Sequence, residues 1–491
     1  MHKLASKVSR SLVVGLGLAF FAACGGGGPS ADGAAGGSGP VGGASGGASP
    51  SAGGANAGGG LSGGASAGGV PSGGNASGGM SPLGGSAAGG EAAVGGGGSE
   101  TGGEGSGGEG TGGAATELEW LPSWATTIQN TETSNLPPSP GLPSNTLRQF
   151  VWPTVSGSQI RIQLSNEKGA SAVAINKVHI AQALTTSDPG NSDGKIDTAT
   201  DAAFKFGGMD GVTIEAGETA WSDALDYPLE EIKLTAVSIQ FGASVPTKVT
   251  GHPGARTMSY VASGDAVASE ALSGAGTKER WYFINAIEVM APKTSYAIAL
   301  LGDSITDGYG VLNKFARWSD FLTLAIQDDP MIKDSRSVLN FGMGANNLTS
   351  SGADQDSGVV RFGRDVLKRD KIKWLIVMEG VNDINGGVQA QALQTAYQTI
   401  IDQARAKGIT VYVSPLTPMN AQNSATRTTF NTWIRSNDAY DAGVDFDMAI
   451  RDPSNQNNTQ AQYKNDDLHP NEAGYKAMGD SVDLTLFHDQ P

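Results

Sequence analysis

The sequence predicts an α/β domain built on a parallel sheet, preceded by an antiparallel β-sandwich domain of jelly-roll type. Three observations carry this. After Pro292, strand-sized apolar runs alternate with helix-period stretches, the pattern of a parallel sheet with helices on both faces. From about 118 to 291, short runs alternate polar with apolar residues and are parted by Gly, Pro, Asn and Asp turns, which suits antiparallel strands. The apolar run 296–301 then stops abruptly at Gly302-Asp303-Ser304. A buried parallel strand looks like this when it delivers a hydroxyl to the carboxyl edge of its sheet.

At 491 residues the chain exceeds one ordinary core. A net charge of −16 with no basic stripe disfavours nucleic-acid binding. The one cysteine, Cys24, excludes internal disulfides, and no spaced Cys/His cluster suggests a metal. No metal or organic cofactor is expected.

The chain divides into four segments. Residues 1–23 have a positive start (Lys3, Lys7, Arg10) and an apolar run, 12–21, too short for a stable span. Ala22-Ala23 then precede Cys24, which resembles a bacterial lipoprotein signal with Cys24 carrying the lipid. A plain secretory signal is the alternative. Gly25 stands where some bacteria place an inner-membrane retention aspartate, so surface or outer-membrane display is expected. Residues 24–116 are nearly all Gly, Ala and Ser, and cannot bury enough surface to offset the entropy of ordering them. They read as a tether; a flexible coil of about 90 such residues spans roughly 50 Å.

Residues 117–292 form the expected sandwich. Candidate strands are 147–152, 159–164, 172–180, 213–216, 234–241 and 281–289. The stretch 187–197 superficially suits a calcium loop, but aligning Gly194 with the turn glycine puts Pro189, which has no side-chain oxygen, at the first ligand position. A hairpin loop is expected instead. Residues 293–491 form the α/β domain, with strands at 297–301, 338–341, 374–378 and 409–413. Helices are expected at 318–326, 359–367, 393–406 and 430–437, with a last one over 471–487. Gly408 suits a C-cap and Asn471 an N-cap.

A serine on such an edge needs a base and an oxyanion site. Of five histidines, His2 lies in the signal and His488 at the far end; His179 sits in an alternating strand and His252 in a Gly/Pro turn. His469 remains, in Asp466-Asp467-Leu468-His469-Pro470. Asp466, three residues back, can turn to accept the imidazole Nδ1–H, leaving Nε2 for the serine. Asp467 is the competing acid. The third strand ends in Glu379-Gly380-Val381-Asn382-Asp383, where the Asn382 amide can donate to an oxyanion. The second ends in Asn340-Phe341-Gly342-Met343-Gly344-Ala345-Asn346, whose turn can aim backbone N–H groups inward.

These residues resemble the SGNH (GDSL) hydrolases: Gly302-Asp303-Ser304-Ile305-Thr306 is similar to the nucleophile block, Gly380-Val381-Asn382-Asp383 to the asparagine block and Asp466-x-x-His469 to the final block. The resemblance implies a flavodoxin-like three-layer α/β/α sandwich and ester hydrolysis through an acyl-enzyme. It implies Ser304 as nucleophile, His469 as base and then acid, and Asp466 as orienter. The implied oxyanion hole is the Ser304 N–H, the Asn382 side chain and a backbone N–H at Ala345, where the family has glycine; Gly344 is the alternative donor. Asp303, Gly344, Asn346, Arg317 and Trp318 are the candidate pocket residues.

Trp120 to Trp124, Leu147-Arg148-Gln149, Leu164-Ser165-Asn166-Glu167 and Arg317-Trp318 resemble a two-domain branch that includes xylan esterases and other carbohydrate deacetylases. The expected protein is a lipid-anchored extracytoplasmic serine esterase acting on acyl, above all acetyl, esters of carbohydrate polymers. A lipase or general carboxylesterase, or a non-catalytic glycan-binding surface lipoprotein, are the rivals.

Overall fold

The computed structural model describes residues 117–186, 190–419 and 421–489. The expected signal, Cys24 and tether lie outside the described residues, as do Ser187, Asp188 and Pro189 of the expected hairpin loop. The rest of that loop turns through left-handed Asp193 and Gly194, and Ala183 bridges Ile196 antiparallel.

The amino-terminal part consists of antiparallel sheets. One runs Leu118–Ala125, Ile284–Pro292, Gly157–Ser165, Thr219–Trp221, with Leu225–Leu229 also on Gly157–Ser165. The other runs Gly276–Lys278, Ser259–Ala262, Thr146–Val151, Thr235–Phe241, Val173–Gln182, Ala202–Ala203. Alternation sets which face is buried: Ile160, Ile162 and Leu164 point into the core, while Arg161 lies outside between the rings of Trp120 and Trp221, 4.6 and 4.4 Å from their centres.

The single strand expected over 281–289 is two. Phe283 adopts a left-handed φ of 60°, which breaks the extended run. Trp281–Tyr282 therefore pairs with Thr250–His252 in a small third sheet, and Ile284–Pro292 continues in the first. His252 is thus not in a turn but on a buried strand.

The carboxyl-terminal sheet is parallel throughout, in the order Arg336–Gly342, Tyr296–Gly302, Ile372–Met378, Thr410–Val413, Ala442–Gly443. Its three leading strands end in register, Gly302 opposite both Gly342 and Met378. Loops leaving those ends start side by side at one rim. Near-continuous burial of Ile298, Ala299, Leu300 and Leu301 fits strands covered on both faces. Helices follow at Trp318–Asp328, Gly358–Asp365, Ala390–Ala406 and Ser424–Ser436. The last expected helix stops at Asp480, because Asp483 caps a new 3₁₀ turn at Leu484–Phe487 by accepting from Thr485 N at 3.0 Å. Asn471 caps Glu472–Asp480 through Gly474 N.

The two parts meet along a polar seam. Arg317 donates to the carbonyls of Gly254 and Ala255 at 3.2 and 2.8 Å. Asp307, fully buried, accepts from His252 Nε2 at 3.0 Å and from Arg256 Nη2 at 2.9 Å. Burial pushes the Asp307 carboxyl up, but Arg256, His252 and Arg317 outweigh it and hold it below the ordinary value.

Candidate active site

Ser304 opens a one-turn helix, Ser304–Asp307, directly after the first parallel strand. Asp303 caps it by accepting from Ile305 N at 3.0 Å, and Gly308 ends it at φ 83°. The helix lies against the second strand end so closely that a Cβ on Gly342 would stand 2.2 Å from Asp307 N. Ser304 is 5% exposed.

His469 meets this serine from 165 residues away, Nε2 lying 2.9 Å from Oγ. Its loop is pinned at both ends: Lys464 bridges Pro470, and Asn471 begins the following helix. Asp466 curls back within this turn. Its carboxylate lies 2.9 and 3.1 Å from His469 Nδ1 and also accepts from the N–H groups of Leu468 and His469. Burial raises the Asp466 carboxyl, but these donors win and hold it below the ordinary value. Asp467 points away to Lys464 Nζ at 2.6 Å.

The second strand leads into a tight turn, Met343 to Asn346, closed by Asn346 N donating to Met343 O at 3.3 Å. Ala345 takes the left-handed position of that turn, φ 57°, where glycine costs nothing and alanine about 1 kcal/mol. The turn's own bond uses neither the Gly344 nor the Ala345 N–H. Gly344 O is held by Gln355 Nε2 at 2.9 Å. A trans peptide sends its N–H opposite its carbonyl, so the Ala345 N–H points away from Gln355. Asn382, at the start of Val381–Asn385, donates one amide hydrogen to Asn346 O at 2.9 Å, which fixes the direction of the other. Asp383 anchors the same loop through the N–H groups of Leu348 and Thr349.

The remaining candidate pocket side chains are interior. Trp318 packs on Phe446 with ring centres 4.6 Å apart, and Arg317 is committed to the seam. Asn346 is 1% exposed and bonded to Arg361, Gln355 and Asp356. Asp303 is equally buried, and burial raises its carboxyl to about 7. All four residues are buried. Two residues the sequence did not single out do bear on the site. Tyr309, 44% exposed, lies over the His469 ring, and Arg361 sits beneath the strand ends. Among the described residues no group of three or more His, Cys, Asp or Glu is placed to hold a metal ion.

A hydroxyl, an imidazole and a carboxylate in hydrogen-bonded series at the rim of a parallel sheet have the geometry that serine hydrolysis requires. Residues 300–477 match the model of the GDSL-like Lipase/Acylhydrolase family, a match that supports a carboxylic ester hydrolase. No curated protein matches the chain. Similar solved structures include a member of the lipolytic G-D-S-L family from Veillonella parvula, 18% identical, covering 38% of this chain and 96% of its own, TM-score 0.30. The psychrotrophic esterase EstA from Pseudoalteromonas sp. is also 18% identical, covering 38% and 94%, TM-score 0.31. A GDSL-like lipase from Bacteroides thetaiotaomicron is 15% identical, covering 38% and 84%, TM-score 0.28.

Proposed function

We propose that this chain hydrolyses acyl esters, in particular acetyl esters on carbohydrate polymers, through Ser304, His469 and Asp466. The observation that carries the reading is the 2.9 Å approach of Ser304 Oγ to His469 Nε2, with Nδ1 held by Asp466. His469 takes the Oγ proton as Oγ attacks the ester carbonyl. The oxyanion is met by the Ser304 and Ala345 N–H groups and the Asn382 amide. Collapse breaks the ester bond, His469 returns the proton to the leaving alcohol, and water then releases the acid from the acyl-serine by the same steps. Donors of this kind are each worth about 3–4 kcal/mol in the transition state.

The helices divide into two mutually touching groups, Trp318–Asp328 with Phe446–Ile450 and Glu472–Asp480, and Gly358–Asp365 with Ala390–Ala406 and Ser424–Ser436. This supports a flavodoxin-like three-layer arrangement, whose ligand crevice opens where the strand order reverses, beside Tyr296–Gly302. Carbohydrate as substrate, display outside the cytoplasm and lipidation at Cys24 rest on the sequence resemblance. The test is acetate release from acetylated polysaccharides with Ser304→Ala as blank. Release equal to the blank overturns the reading, and faster turnover of long-chain lipid esters favours a lipase instead.

A further inference from the structure

Beneath the rim, Arg361 is fully buried on the Gly358–Asp365 helix and bonded in every direction. Its Nη2 donates to Gly302 O at 2.6 Å, the last carbonyl before the Asp303-Ser304 pair. Its Nη1 donates to Phe341 O at 2.5 Å, at the end of the second strand. The same Nη2 meets Glu379 Oε2 at 2.9 Å, just past the third strand. Its Nε donates to Asn346 Oδ1 at 2.6 Å, in the turn that carries Ala345. One planar guanidinium thus touches all three loops that supply oxyanion donors. The link continues outward, because Asn346 O is the acceptor that aims the Asn382 amide.

We propose that Arg361 is the positioning residue of the oxyanion cradle, fixing the relative placement of the Ser304, Ala345 and Asn382 donors. The proposal rests on the esterase reading above. Arginine suits the task because its fork is rigid and its donors diverge at set angles, whereas a lysine ammonium reaches one corner of the same space. Glu379, itself buried, balances the charge; its carboxyl is raised by burial and drawn back by Arg361. Donors held by separate loops are effective only if the loops cannot drift, and a shift of about 1 Å can cost 10²-fold in rate. Arg361 never approaches the reacting atoms, so its effect must pass through the donors it holds.

That dependence separates positioning from bulk stability. Hydrolysis of an activated acetyl ester is measured for the full chain, Arg361→Lys, Asn382→Ala and the double variant, with Ser304→Ala as blank. Positioning predicts that Arg361→Lys lowers kcat by about 10- to 10²-fold with KM changed less than about threefold. It predicts a smaller fold loss when Asn382 is already Ala, because one of the three donors that Arg361 places is then gone. Arg148→Lys is the control. Arg148 is also fully buried and bonded to carbonyls, but in the amino-terminal sheets, so it should lower the melting temperature without lowering kcat. If Arg361→Lys does not fold, Asn346→Ala, which removes the Nε partner, takes its place in the same cycle. Equal fold losses with and without Asn382 overturn the positioning role. A full-chain rate no higher than the blank overturns the esterase reading as well.

Discussion

The ring of Tyr309 lies over the imidazole of His469, with centres 4.1 Å apart and planes inclined by 32°. Tyr309 is itself tied down, its N–H donating to Ser304 O at 2.9 Å and its carbonyl accepting from the buried Tyr475 hydroxyl at 2.8 Å. The loop after Ser304 and the helix after His469 are therefore coupled through one residue. Its ring restrains the imidazole. An aromatic pair of this kind is worth about 1 kcal/mol, so Tyr309→Ala should lower kcat/KM roughly fivefold. Tyr309→Phe, which keeps the stacked face, should stay near the wild-type value. Steady-state kinetics on one activated ester decides it, and an equal loss in both variants would count against the stacking role.

Asp466 and Asp467 are neighbours with different fates, which gives a sharp pair of variants. Asp466→Asn should lower kcat by about 10⁴-fold, since an amide in that place no longer holds the correct tautomer. Asp467→Asn should do little, because Asp467 is 87% exposed and paired only to Lys464. The depressed Asp466 carboxyl gives a sign as well: its charge is complete above the ordinary value near 3.8 and is lost as pH falls through its lower folded value. Activity above about pH 5 should therefore be insensitive to the Asp466 titration. A profile for the wild type with a limb near pH 4 that Asp466→Asn removes would contradict this.

The parts of the site carried by local pattern were legible in the chain. Ser304 follows an apolar run that stops abruptly, and Asp466 and His469 share one turn, so spacing alone brings them together. Arg361 was not legible. A charged residue on a helix between Val360 and Phe362 reads as a solvated face, and only the convergence of three strand ends makes a buried cation useful there. His252 was hidden for a related reason. Its Gly and Pro neighbours suggest a turn, but its partner Asp307 is 55 residues away, and pairing at that distance leaves no local trace. Arg317-Trp318 looked available to a ligand because nothing in the sequence reports the seam that holds Arg317 or the packing on Phe446 that buries Trp318.

Ala345 tests whether a side chain or a backbone group matters at its position. Ala345→Gly keeps the N–H and relieves about 1 kcal/mol of left-handed strain, while adding about 0.5–1 kcal/mol of unfolded-chain entropy. The two nearly cancel, so the melting temperature should move by only a few degrees and kcat by less than about threefold. Ala345→Val adds a β-branch at φ 57° and should lower both. Thermal scans and kcat on the same preparations check it. A large activity loss in Ala345→Gly would mean that the methyl group, and not the N–H, is what the site uses.

Asp303 supplies a pH signature of the fold. Burial raises its carboxyl from 3.8 to about 7, with Glu379 and Asp383 adding to the rise and the Ile305 N–H and Arg361 opposing it. In the unfolded chain the group titrates near its ordinary value. Between about pH 4 and 7 the native state therefore binds more protons than the unfolded one, and stability falls as pH rises through that window. The full effect is on the order of 4 kcal/mol, less whatever relaxation of the site recovers. Asp303→Asn retains an oxygen to cap Ile305 N and carries no charge at any pH. Its stability relative to wild type should therefore be more favourable at pH 8 than at pH 4. Glu379 and Asp320, also raised by burial, remain in both proteins, so the difference reads Asp303 together with its coupling to Glu379. Denaturant unfolding of both proteins across that range is the measurement, and two parallel stability curves would show that Asp303 is not held protonated by its burial.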